Sequence, residues 1–121
     1  MTKQFNTGET QETLRQDYNP DGSVLRRAQM RMLDMAIYLQ ETAKKIGIPL
    51  RLDGGNVLGA LRHGGFIPWD DDIDMVVSQK DFKRLCDYLK AHPHPHYVLQ
   101  DNSTDRGFYK DWLLYTSDAA D

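Results

Sequence analysis

Four aspartates crowd into five positions of FIPWDDDIDM (66–75): Asp70, Asp71, Asp72 and Asp74. Their neighbours Ile67, Pro68, Trp69, Ile73 and Met75 are apolar, unlike the polar company of a solvated acidic run. Read as a strand, the segment puts Asp70, Asp72 and Asp74 on one face, ~6.5–7 Å apart along the chain, and Asp71, Ile73 and Met75 on the other. Without a cation, two carboxylates ~4 Å apart repel by roughly 4 kcal/mol at an effective dielectric near 20. A divalent ion removes that cost. An all-oxygen ligand set favours Mg2+ or Mn2+, with water and phosphate oxygens completing the shell. Ile73 and Met75 would anchor the strand in the core, and Asp71 would cap the turn. Three plainer readings compete. An exposed acidic turn is the simplest account of DDD alone. Side-chain caps would claim Asp70 or Asp71 but not all four. A calcium loop matches the spacing of Asp70, Asp72, Asp74 and Asp81, but Met75 stands where that loop needs glycine and Asp81 where it needs Glu.

The residues upstream favour the metal reading. In DGGNVLGALRHGG, Gly54 and Gly55 precede a helix start, where backbone can approach a ligand and free N–H groups can bind an anion. Asn56 is expected to cap a short helix, Val57 to Leu61, with RHGG as a loop. Arg62 could hold a phosphate oxygen with its planar fork. A glycine turn, an Arg and Asp-x-Asp together make parts for holding a nucleotide diphosphate. His63 fits either a donor contact or a loop-shaping role. His92, His94 and His96 alternate, but the prolines between them favour a surface turn over zinc. Phe108 and Tyr109 fit core packing better than an acceptor pocket. Cys86 reads as packing, at helical spacing from Phe82 and Leu89.

The elements that must position these residues follow from periodicity. Residues 1–22 form a polar N-terminal segment ending in the turn NPDG. Ser23 caps a long helix whose stripe is Val24, Ala28, Met32, Met35, Leu39, Ala43 and Ile46, stopped by Gly47. IPLRLDG and DIDMVV alternate as strands, and SQKD resembles a capping box with Asp in place of Glu. The next helix turns Phe82, Leu85, Cys86 and Leu89 inward. HPHPH is extended or turning, and YVLQ (97–100) is a third strand. Helices interleaved with short strands predict an α/β or α+β domain.

At 121 residues the chain is one domain or a piece of one, and a net charge of −3 gives no reason to expect nucleic acid. It has no apolar run of the roughly 18–20 residues that cross a bilayer. It has no signal-peptide segment either, so a cytoplasmic location is expected, compatible with peripheral work at the inner face of the membrane. The sequon NST (102–104) reads as accidental. LLYTSDAAD (113–121) has neither period and resembles the translated read-through of a sequencing-library adapter. Native sequence is then expected to stop near Trp112, with a genuine polar tail as the alternative.

LDGGNVLGALRHGGFIPWDDDIDM, with YNPDGSVLRRAQMRMLDM before it and QKDFKRL after it, resembles the LicD family of phosphotransferases. The fukutin-related proteins belong to the same family, within the DNA polymerase β-like nucleotidyltransferase superfamily. The likeness runs from about Asn19 to Gln100. It implies that residues 23–112 are the N-terminal part of a nucleotidyltransferase-fold domain, a small mixed sheet flanked by helices. It further implies metal-dependent transfer of a substituted phosphate, such as phosphocholine, from a CDP-linked donor such as CDP-choline. The acceptor would be a sugar hydroxyl of a cell-surface glycan or its precursor, as in lipopolysaccharide or teichoic acid modification. In that picture Asp72 and Asp74 hold Mg2+ or Mn2+, with Asp70 as a further ligand or orienter of bound water. Gly54, Gly55, Asn56, Arg62 and His63 form the donor-binding set. The family usually has Thr or Ser where this chain has Asn56, and the superfamily commonly uses a later carboxylate, for which Asp101, Asp105 and Asp111 are candidates. Two alternatives stay open: a non-catalytic fragment that binds metal or nucleotide, and a nucleotidyltransferase that delivers NMP from an NTP.

Overall fold

The computed structural model describes residues 8–101 and 113–117, with Asp101 and 113–117 as backbone only. The chain forms two compact units whose boundary falls within one long helix: residues up to Asp34 with Arg51–Val76, and Met35–Leu50 with the residues from Val77. The expected mixed α/β character is present. Among the described residues the strands form two antiparallel pairs instead of one mixed sheet.

In the first unit, helix α1 (Gln11–Tyr18) arises inside the segment expected to be merely polar. Thr10 caps it, exchanging hydrogen bonds with Thr13 in a reciprocal box. Its one buried residue is Leu14, so no apolar stripe announces it. Helix α2 (Val24–Lys45) starts where Ser23 accepts the Arg26 N–H at 3.1 Å. It ends in a left-handed turn at Gly47 (φ 73°), where the Ile48 N–H reaches the Ala43 carbonyl at 2.8 Å. This is the glycine stop predicted from the sequence. The predicted stripe holds only in part. Met35 and Ala43 are buried, but Val24 is 75% exposed, and the fully buried residue in the helix's first half is Gln29.

Strand β1 (Arg51–Leu52) pairs with β2 (Met75–Val76), Arg51 opposite Val76 and Leu52 opposite Met75. Helix α3 (Gly54–His63) lies between them in sequence, longer at both ends than expected. Its N-cap is Asp53, so Asn56 sits inside the first turn and is not the cap. Gly64 ends the helix in a left-handed conformation (φ 66°). Gly59 lets the returning chain pass against the helix: a Cβ there would lie 2.5 Å from the Gly65 carbonyl oxygen and 3.0 Å from the Ile67 nitrogen.

In the second unit, helix α4 (Gln79–Ala91) starts at Ser78, which accepts the Asp81 N–H at 3.3 Å. The Asp81 carboxylate takes the Ser78 hydroxyl at 2.9 Å instead of the backbone N–H that a full capping box would use. Leu85, Cys86 and Leu89 are buried, as their spacing predicts, as are Ala43, Ile48 and Leu50. Arg84 donates to Asp81 and to the Ile46 carbonyl. The His-Pro segment turns as expected, and His94 stacks on Tyr97 with ring centroids 4.0 Å apart. Strand β3 (Tyr97–Asp101) pairs with β4 (Leu113–Ser117), so a stretch read as lacking strand periodicity is paired backbone. The sequon, Asp105, Phe108, Tyr109, Asp111 and the side chain of Asp101 lie outside the described residues.

Gly59→Ala tests the close pass. The new methyl must push main chain and not a flexible side chain, so thermal denaturation should show a loss of about 1–3 kcal/mol.

Candidate functional site

The acidic segment is not a continuous strand. Ile67–Asp70 is a turn, closed by the Asp70 N–H on the Ile67 carbonyl at 3.0 Å, with Pro68 fully buried. Proline suits that second turn position because its φ is already set. Asp71 to Asp74 then run irregularly, and regular pairing begins only at Met75. Strict alternation therefore does not place Asp70, Asp72 and Asp74. Ile73 and Met75 are half-buried, and Asp71 lies exposed beyond the turn that it was expected to cap.

What places the carboxylates is the start of α3. A Cβ on Gly55 would lie 3.0 Å from Asp70 Oδ2, and one on Gly54 would lie 3.8 Å from Asp74 Oδ2. Both acids thus lie against the first turn of the helix, where backbone N–H groups lack helical partners and the helix dipole is positive. Gly54 has a left-handed φ of 55°, which a side chain would strain. Asn56 ties the segment down: its Nδ2 donates to the Asp72 carbonyl at 3.2 Å, and its Oδ1 accepts the Asp74 N–H. The Asp53 N–H adds a bond to the Asp74 carbonyl at 2.9 Å. The Asn56 carboxamide is committed to main chain, so it positions the acids.

Arg62 is exposed in the last turn of α3. Seven residues beyond Gly55, it lies about 10 Å further along the helix axis, away from the glycine turn. His63 is buried and pairs through Nδ1 with Gln11 Oε1 at 2.6 Å, while Gln11 Nε2 donates to the Phe66 carbonyl. With Gln11 oriented that way, His63 donates from Nδ1. It shapes the loop before the acids, and its ring meets the Trp69 edge at 6.2 Å.

Burial, then repulsion from Asp72 and Asp71, raises the Asp70 carboxyl above its ordinary value, with His63 opposing. Asp72 is exposed overall, yet partial desolvation of its carboxyl, then repulsion from Asp74 and Asp71, raises it likewise. Among the described residues no three His, Cys, Asp or Glu side chains are gathered as a ready-made metal cage. The donors are nonetheless hard oxygens of like charge beside a glycine turn. That set fits an open Mg2+-type site, which takes one or two carboxylates and leaves the rest to water and phosphate.

Three residues that sequence reasoning passed over support the site: Gln11, Asn19 and Gln29. Asn19 and Gln29 are fully buried and bonded to each other at 2.8 Å. Gln29 stands at helical spacing from Met32, a polar residue close to an apolar stripe, and that was the available signal.

Residues 47–118 match the family described as LicD/FKTN/FKRP, nucleotidyltransferase domain. Over 76 residues the chain is 37% identical to the lipopolysaccharide cholinephosphotransferase LicD of Haemophilus influenzae, covering 63% of this chain and 29% of that protein. Over 60 residues it is 39% identical to the human ribitol 5-phosphate transferase FKRP, covering 44% of this chain and 12% of that one. It is 33% identical over 67 residues to the mouse ribitol-5-phosphate transferase FKTN, covering 55% and 14%. The chain therefore spans less than a third of these curated relatives. No solved structure matches it significantly.

The raised carboxyls predict a pH signature in the absence of divalent ions. A carboxyl whose folded-state pKa is raised costs stability above that pKa, and the cost disappears as pH falls through it. Asp72→Asn should raise Tm by about 1–3 °C at neutral pH, a small gain because Asp72 is exposed. The gain should shrink on acidification towards the ordinary carboxylate value of about 3.9. A gain that is constant with pH contradicts the assignment.

Proposed function

The chain belongs to the LicD/FKTN/FKRP nucleotidyltransferase-domain family, and we propose that it is the donor-binding part of a metal-dependent phosphotransferase. The reaction moves a substituted phosphate, phosphocholine or a polyol phosphate, from a CDP-linked donor to a sugar hydroxyl of a cell-surface glycan or its precursor. The observation that carries this reading is the placement of Asp70 and Asp74 against Gly55 and Gly54. One side of that arrangement offers carboxylate oxygens and the other offers backbone N–H groups at a helix start. The first suits a hard cation and the second suits a phosphate. The names of the relatives, a cholinephosphotransferase and two ribitol phosphate transferases, support the transfer chemistry.

Asp72 and Asp74, with Asp70, would hold Mg2+ or Mn2+, which when bound neutralises diphosphate charge and stabilises the departing CMP. The glycine turn binds the donor phosphates, and its missing side chains allow the backbone to approach them. The acceptor oxygen attacks the transferred phosphorus in line. The new O–P bond forms as the bond from phosphorus to the CMP oxygen breaks, and the hydroxyl proton passes to a carboxylate. His63 belongs to this reading as a loop-shaping residue, while Arg62, at the far end of α3 from the glycine turn, would meet only a part of the donor that extends along the helix.

Incubating the chain with Mg2+, a sugar acceptor and either CDP-choline or CDP-ribitol should release CMP. Asp74→Asn should lower that release by about a hundredfold or more, as expected for losing a metal ligand and its charge. Binding of metal or nucleotide with no CMP from either donor would identify a binding module. Pyrophosphate from an NTP would identify a nucleotidyltransferase.

A further inference from the structure

Gln29 is a glutamine with no exposed surface, on a helix that the sequence otherwise reads as apolar on its inner side. Its hydrogen bonds form a one-way arrangement. Oε1 accepts from Asn19 Nδ2 at 2.8 Å and from Arg26 Nη1 at 3.1 Å. Both partners are donors, so the carboxamide cannot be turned over, and Nε2 must face the other way. There it meets the carbonyls of Asp70 at 2.8 Å, Pro68 at 3.3 Å and Ile67 at 3.4 Å. Two N–H bonds are shared among three carbonyls of one turn, with the shortest contact at Asp70. Asn19 is held in its turn, because its Oδ1 accepts the Ser23 hydroxyl at 2.7 Å.

We infer that Gln29 is a positioning residue for the proposed cation site: it fixes the main chain of the 67–70 turn and thereby sets where the Asp70 carboxylate lies. The inference rests on the phosphotransferase reading for its purpose, but its geometric part stands without it. A core glutamine serving stability alone needs its polar atoms satisfied, and any partners would do. Here every donor is spent on the turn that delivers one particular carboxylate to Gly55. Only main-chain atoms of the turn are used, so the carboxylate itself stays available. Methionine has nearly the same shape and no donors, which makes Gln29→Met the direct test.

In the full chain, amide hydrogen exchange at Asp70, whose N–H closes the turn, should speed up by about tenfold or more in Gln29→Met. Mn2+ affinity should weaken by roughly 10–100-fold, the usual cost of losing a group that orients a ligand. Exchange at Leu85 and Leu89 in α4 should not change. Unaltered exchange at Asp70, or an equal rise at Asp70, Leu85 and Leu89, would reduce Gln29 to an ordinary core residue and overturn the inference. If Gln29→Met does not fold, Asn19→Ala replaces it. That variant frees one side of the carboxamide and should loosen Asp70 selectively by a smaller factor, with an unchanged or uniform response again overturning the inference. A wild-type chain that binds no Mn2+ would count against the metal reading, while the exchange comparison would still decide the role of Gln29.

Discussion

The acidic segment is gripped by its main chain from two directions. Gln29 holds the carbonyls of Ile67, Pro68 and Asp70. Asn56 and the Asp53 N–H hold Asp72 and Asp74. The consequence is chemical as well as geometric. Among the described residues no hydrogen bond ends on the carboxylates of Asp70, Asp72 or Asp74, so their oxygens remain available. They are placed by bonds that do not use them, and the repulsion that they exert on their acidic neighbours is sustained by the fold around them.

Asp81 shows the opposite arrangement in the same chain. Its carboxyl is held below its ordinary value by the Ser78 hydroxyl first and then by Arg84, though burial opposes this. An aspartate that caps a helix is stabilised as an anion by the groups it bonds. Asp70 is pushed the other way by burial and then by Asp72 and Asp71, and Asp72 by partial desolvation and then by Asp74 and Asp71. The two environments separate a carboxylate stabilised as an anion by its partners from carboxylates whose charge is opposed by their surroundings.

Much of this was legible from spacing. The stop of α2 at Gly47, the Ser23 and Ser78 caps and the inward face of α4 follow from local rules, because each depends on neighbours within one or two turns. The acidic motif and the glycine turn were also readable as partners. The mechanism of their partnership was not. Alternation along a strand was expected to align Asp70, Asp72 and Asp74, but a proline turn and irregular chain precede the two-residue strand. Asn56 and Gln29 bond to main chain 16 and 41 residues away, and nothing local signals such pairings. Helix α1 was hidden because it buries a single leucine, and periodicity needs several. Arg62, expected to hold a phosphate oxygen with its planar fork, stands in the last turn of α3, about 10 Å along the axis from the glycine turn, a distance that sequence spacing alone does not show.

The central claim is that the glycine turn of α3 and the acids it touches form one divalent-ion site. Paramagnetic broadening by substoichiometric Mn2+, read amide by amide in the labelled full chain, tests it most directly. The account predicts that Gly54, Gly55, Asp70 and Asp74 broaden first and together, ahead of the other amides of the described residues. Broadening that begins at His92, His94 and His96, or that spreads evenly over exposed acids such as Asp21 and Asp87, would contradict it.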